Sequence, residues 1–140
     1  MERLRKALSR LPGGVLTCLT LAAILWLTLA PKPFGDESPQ LFPGADKVAH
    51  ALMFGGLDIM ILLDYQRKTK WKEVSPGVIA LSEIFCIALG IAIEYIQLNM
   101  HLGRGFEYLD MVADSIGVVI FALAWVWLQP SWSKVSSNKE

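Results

Sequence analysis

Apolar residues gather in four unbroken stretches, at about residues 13–30, 48–63, 76–98 and 110–128, separated by short polar segments. Each comes near the ~20 residues an α-helix needs to cross a ~30 Å hydrocarbon layer, and the second, being short, would fit with little tilt. The stretches are continuous, whereas the strands of a membrane barrel alternate between lipid-facing and lumen-facing residues, so a barrel is not expected. The segments between them read PKPFGDESPQLFPGADK, QRKTKWKE and NMHLGRGFEY, the Pro, Gly and charge expected of loops. The pattern predicts an all-α polytopic membrane protein, four transmembrane helices in a bundle. A basic N-terminus occupies residues 1–12, the membrane domain residues 13–128 and a tail residues 129–140.

Composition agrees, with 54% of the residues apolar and 19% charged, against about 25% charged in an ordinary globular domain. So much apolar surface excludes disorder. Only two cysteines are present, Cys18 and Cys86, both inside apolar stretches, which excludes a disulfide scaffold. The 13 basic and 13 acidic residues cancel, leaving no electrostatic footprint for nucleic acid, and no such partner is expected.

Placement of charge is more informative than its sum. Arg3, Arg5, Lys6 and Arg10 precede the first stretch, Arg67, Lys68, Lys70 and Lys72 lie between the second and third, and Lys134 and Lys139 follow the fourth. The two remaining loops hold Lys32, Lys47 and Arg104, a division of ten against three that predicts both termini on the cytoplasmic side. The first stretch also resembles a signal peptide, but it is long for one and lacks a small-x-small cleavage site, so an uncleaved span is expected. Tyr65, Trp71, Trp127 and Trp132 would then ring the cytoplasmic face, and Trp26, Tyr95 and Tyr108 the outer one. A D-x-V-A echo links Asp46 to His50 with Asp110 to Asp114. A duplicated helical hairpin would leave such an echo, and so would chance among apolar residues.

Polar residues in spanning helices are costly and therefore candidates for function. Asp46, His50, Phe54 and Leu57 share a face of the second helix, and Glu94 and Gln97 lie one turn apart on the third. Arg104 follows in the loop, and Asp110, Asp114 and Gly117 share a face of the fourth helix. Asp46, His50, Glu94, Gln97, Arg104, Asp110 and Asp114 thus fall at similar depth on one side of the membrane. Plainer roles exist for each. Asp46 and Asp110 sit where helices begin and could cap them, Lys47 could snorkel to the interface, and Glu94 and Asp114 could pair with Arg104. Asp58 and Glu83 lie deeper, either hydrogen-bonded between helices or forming a polar path.

The blocks D-K-x-x-H-x-x-x-F-x-x-L from Asp46 to Leu57, E-x-x-Q from Glu94 to Gln97, Arg104, and D-x-x-x-D-x-x-G from Asp110 to Gly117 occur in order. Together they resemble the signature of the VanZ-like family of small bacterial membrane proteins. The likeness runs from Asp46 to about Leu128 and departs at Asp114, where the family usually carries Asn. It implies an integral membrane protein of the cell envelope, in a family whose founding member is associated with resistance to the glycopeptide teicoplanin.

The expected function is binding of a lipid, or of a lipid-linked cell-wall component, in an outward-facing polar pocket, with Glu94 and His50 as its central pair. Arg104 would hold a phosphate or carboxylate through its bidentate fork. The alternative is a membrane-embedded enzyme using His50, Glu94 or Asp114 as acid and base on a lipid-linked substrate. No GxSxG, HExxH, CxxC or glycine-rich phosphate loop is present. No cofactor and no metal are expected, although His50, Glu94, Asp110 and Asp114 are donors that could hold an ion.

Overall fold

A computed structural model describes residues 2–30, 42–100 and 107–137, all of its elements helical. The short α1 (Glu2–Leu8) is followed by α2 (Val15–Leu29), α3 (Ala45–Lys68), α4 (Pro76–Met100) and α5 (Tyr108–Ser137). Among the described residues three helices are long and apolar enough to cross a membrane: α3, α4 and the portion of α5 from Tyr108 to Gln129. No more than a third of each window is buried, 33, 28 and 28% respectively, so the apolar surface faces outward, as in a multi-pass membrane protein.

The first and second stretches depart from their expected lengths. The second, short as an apolar run, lies within a helix of 24 residues, because the chain continues helically through Asp64, Tyr65, Gln66 and Arg67. The first forms a helix of 15 residues, about 22 Å at 1.5 Å per residue, shorter than the other three.

Helix α3 is the centre of the bundle. Phe54 and Leu57 pack with Ile24, Cys86, Ile93 and Val118 in one buried cluster, and Leu62 and Leu63 with Val74, Ile79, Ala122 and Trp125 in a second. The close partner of α3 is α5. A Cβ added at Gly117 would lie 2.1 Å from the Ala51 carbonyl oxygen, and one at Gly55 would lie 2.9 Å from the Gly117 oxygen. Backbone contact of this kind through small residues is how helices associate where lipid is as apolar as leucine.

Side chains from neighbouring helices close the ends of α2. At its start, the Thr17 backbone N–H and hydroxyl both donate to Asp64 Oδ2 on α3, each at 2.9 Å. The Arg67 guanidinium pairs with the other Asp64 oxygen and donates to the Leu11 carbonyl at 2.7 Å. At its end, Gln97 Nε2 on α4 donates to the Thr28 carbonyl at 2.8 Å. These satisfy first-turn donors and last-turn acceptors that the helix itself leaves unpaired. The α3–α4 connection is tied to the N-terminal segment by Trp71, which donates from Nε1 to Ser9 Oγ at 3.2 Å and lies 4.9 Å beneath the Arg5 guanidinium.

Replacing Gly117 by Ala should force α3 and α5 apart and destabilise the solubilised protein by about 1–3 kcal/mol, the usual cost of overpacking. Gly56→Ala, where a Cβ meets nothing within 4 Å, should be tolerated. Thermal unfolding of both variants in detergent checks the contrast.

Candidate functional site

The α3–α5 approach brings together the first turns of both helices, and the last two turns of α4 complete the group. At its rim, Lys47 extends its ammonium to three carboxylates: Asp46 Oδ2 at 2.6 Å, Glu107 Oε2 at 2.6 Å and Asp110 Oδ1 at 2.9 Å. The snorkelling role expected of Lys47 is therefore replaced by that of an ionic hub. Its hydrogen bonds to Asp46 and Glu107 are half-exposed, with those side chains at 54 and 53%, so they fix geometry more than they stabilise. Asp46 lies in the first turn of α3, where its charge complements the helix dipole, two residues beyond the N-cap position. That position belongs to Gly44, at φ 83°, with no side-chain cap.

One turn deeper, His50 Nδ1 lies 3.0 Å from Asp114 Oδ1, and Nε2 lies 3.7 Å from Asp110 Oδ2. An ionised Asp114 can only accept, so the shorter contact places a proton on Nδ1 and turns Nε2 toward Asp110. The ring also stacks on Phe54, one turn along the same face, with centroids 6.3 Å apart and planes inclined by 12°. Asp114 is buried because Gly90 on α4 makes room for it. A Cβ at Gly90 would stand 2.6 Å from Asp114 Oδ2.

Glu94 projects from α4 into the same group and is 1% exposed. Its Oε2 accepts the backbone N–H of Glu107 at 3.1 Å, just ahead of α5, where a helix N-terminus favours negative charge. Its Oε1, like Asp114 Oδ2, is buried without a hydrogen-bond partner among the described residues. His50, Glu94 and Asp110 each offer a donor atom within 4.8 Å of the others, so the three helices do converge on one point. The expected central pair is altered in detail. Glu94 neighbours His50, but the carboxylate hydrogen-bonded to the ring is Asp114.

Of the remaining candidates, Gln97 serves the end of α2, and Arg104 lies outside the described residues. Ser115, next to Asp114, donates to the Met111 carbonyl at 2.8 Å and takes no part. Of the deeper acids, Asp58 is fully buried and accepts a hydrogen bond from Ser82 Oγ on α4, while Glu83 is half-buried. A cavity of about 590 Å³ lies at the far end of the bundle, lined by Glu73, Val74, Pro76, Ile79, Val126 and Gln129. None of the predicted site residues lines it.

Glu107 and Gly90 escaped the sequence reading, the first because it sits in a loop and the second because a glycine in an apolar run carries no sign of what it faces. Asp64 escaped because the apolar stretch ends at Leu63. If His50 and Asp114 act as a unit, His50→Gln and Asp114→Asn should be non-additive, with a coupling of about 0.5–3 kcal/mol. A double-mutant cycle by chemical unfolding in detergent measures it, and additive losses would mean that the two side chains act separately.

No family model, no curated protein and no solved structure matches this chain.

Proposed function

We propose that this chain is a VanZ-like integral membrane protein of the bacterial cytoplasmic membrane that holds the polar head of a lipid or lipid-linked cell-wall component. The observation that carries the reading is the convergence of His50, Glu94, Asp110 and Asp114 at one end of the bundle, with acceptor atoms of Glu94 and Asp114 unpaired among the described residues. Donor groups of a sugar or peptide would satisfy those atoms. In this reading Arg104, carried by the α4–α5 loop, supplies the fork for phosphate or carboxylate. A role in glycopeptide susceptibility, teicoplanin included, follows from occupying that wall component.

The reading includes four spans, with α2 as the first, both termini cytoplasmic and the site facing outward. The ten-to-three division of basic residues supports it. So does the exposure of Trp26, Tyr95 and Tyr108 toward one end of the bundle and of Tyr65 and Trp127 toward the other. The Asp46–His50 and Asp110–Asp114 segments that echo each other open α3 and α5 and meet through the His50–Asp114 contact, an arrangement that fits a duplicated hairpin with parallel halves.

One observation favours a second reading. A histidine oriented by a buried carboxylate, with its other nitrogen turned toward further acids, is how a general base is held. An acid/base enzyme acting on a lipid-linked substrate would use His50, Glu94 and Asp114 in this way.

Native mass spectrometry of the detergent-purified protein tests the binding reading. A lipid-linked species should remain bound at one copy per chain and be lost in Arg104→Gln. Its turnover to a product would favour the enzyme, and retention in the variant would remove Arg104 from the site.

Topology is checked separately in a Cys18→Ser, Cys86→Ser background. Ser38→Cys should react with an impermeant thiol reagent in intact cells and Thr69→Cys should not. The reverse pattern would turn the site toward the cytoplasm.

A further inference from the structure

We propose that His50, Glu94 and Asp110 form a site for one divalent first-row transition-metal ion, of the Zn²⁺ or Mn²⁺ class, with Asp114 as the residue that orients His50. Each of α3, α4 and α5 contributes one donor, and the three donor atoms lie within 4.8 Å of one another. Bonds of about 2.0–2.2 Å to a common tetrahedral ion put donors about 3.5 Å apart, so side-chain rotation would have to close the longer edge of that triangle by up to about 1.3 Å. At Glu94 Oε1 the ion would take the place that the binding reading gives to a ligand donor, leaving Asp114 Oδ2 to the ligand, and the site would stand whether or not a lipid-linked component binds.

The state of each donor supports the assignment independently of their proximity. His50 Nδ1 is engaged by Asp114 Oδ1 at 3.0 Å, which leaves Nε2 as the ring nitrogen that an ion could take. A carboxylate on the second ring nitrogen is the usual support of a metal-bound histidine. Nε2 and Asp110 Oδ2 face each other at 3.7 Å, an approach that a proton on Nε2 or a metal ion between the two atoms would make favourable. Asp110 has Oδ2 to give because Lys47 holds Oδ1. Glu94, 1% exposed, has Oε1 to give because the Glu107 N–H holds Oε2. A buried carboxylate oxygen without a partner is costly, and a cation removes that cost.

Charge points the same way. Asp46, Glu94, Glu107, Asp110 and Asp114 place five carboxylates in the group, and among its described residues Lys47 is the ammonium that answers them. A second triangle of carboxylates, Asp46, Glu107 and Asp110, is also close enough for an ion. It holds the Lys47 Nζ at 2.6, 2.6 and 2.9 Å instead, so the positive charge there is already supplied. The imidazole decides the class of metal, since nitrogen donors suit zinc and its neighbours while Mg²⁺ and Ca²⁺ take oxygen. Three protein donors would leave a position open for water or for an oxygen of a ligand.

The test uses the untagged full chain in detergent, stripped with chelator and dialysed against Zn²⁺ or Mn²⁺ alone, with bound metal counted by elemental mass spectrometry. One ion per chain is expected, undisturbed by equal Mg²⁺ or Ca²⁺. Glu94→Gln and His50→Gln should abolish stoichiometric binding. Asp114→Asn should weaken it about 10–100-fold, as loss of a carboxylate behind a metal-bound histidine does. Asp46→Asn should leave it intact.

Because the core variants could fail to fold, Cu²⁺-loaded wild-type protein gives a second measurement. Pulsed electron paramagnetic resonance should show modulation from the remote nitrogen of a bound imidazole, and His101→Gln should preserve it. Absence of stoichiometric metal in the wild type, absence of that modulation, or binding that survives His50→Gln would each overturn the proposal.

Discussion

Where α3 crosses α5, a Cβ on Gly117 would stand 2.1 Å from the Ala51 carbonyl oxygen, so the two backbones meet at a separation that only glycine allows. His50 precedes Ala51 by one residue and Asp114 precedes Gly117 by three, less than a turn, so the crossing sets the distance between them. Their 3.0 Å contact, and through it the direction of the imidazole, depends on this approach. Gly90 plays the matching part on α4, leaving space where Asp114 Oδ2 is buried. Glycines that look like unremarkable members of apolar runs thus decide where the charged groups sit.

Burial adds a second constraint, since a helix end packed within the bundle has no water to take its unpaired backbone groups. Buried polar side chains here answer that need from neighbouring helices. Asp64 on α3 receives the first-turn N–H of Thr17, and Gln97 on α4 donates to the last-turn carbonyl of Thr28. Glu94 receives the N–H of Glu107 ahead of α5. Glu94 therefore belongs to two systems at once, one oxygen holding the start of α5 and the other turned to the acid group. Such a residue ties the shape of the site to the folding of the helix that carries Asp110 and Asp114.

Much of this was legible in the sequence, for identifiable reasons. Continuous apolar stretches mark helices in any lipid-facing chain, and the residues that converge, His50, Glu94, Asp110 and Asp114, repeat at helical spacing and at one depth. The length of α3 was not legible, because a helix can run on through Asp64 and Arg67 once their partners on another element are in place, and those partners do not show in local sequence. Nor was the role of Lys47 legible, since a lysine near a helix start reads as interfacial until the register of α3 against α5 brings Glu107 and Asp110 within reach. The same register explains why Asp114, rather than Glu94, is hydrogen-bonded to His50. Spacing within one helix fixes a face, while the choice among three acids on two other helices depends on how deeply each helix is set.

Charge balance separates the two polar groups of the bundle more clearly than burial does. At the far end, Asp64 is matched by Arg67 and by two donors from Thr17, so the carboxylate has what it needs from the chain itself. Where α3 and α5 begin, five carboxylates meet, among the described residues, Lys47, the His50 imidazole and one backbone N–H. A purely structural cluster gains nothing from such an excess, because each further buried carboxylate costs desolvation that no internal partner returns. The excess is intelligible if positive charge or hydrogen-bond donors come from a ligand or from beyond the described residues, where Arg104 lies. The chemistry of this end of the bundle is then that of an acceptor, shaped by glycine contacts and by the two oxygens, Glu94 Oε1 and Asp114 Oδ2, to which the described residues offer no partner.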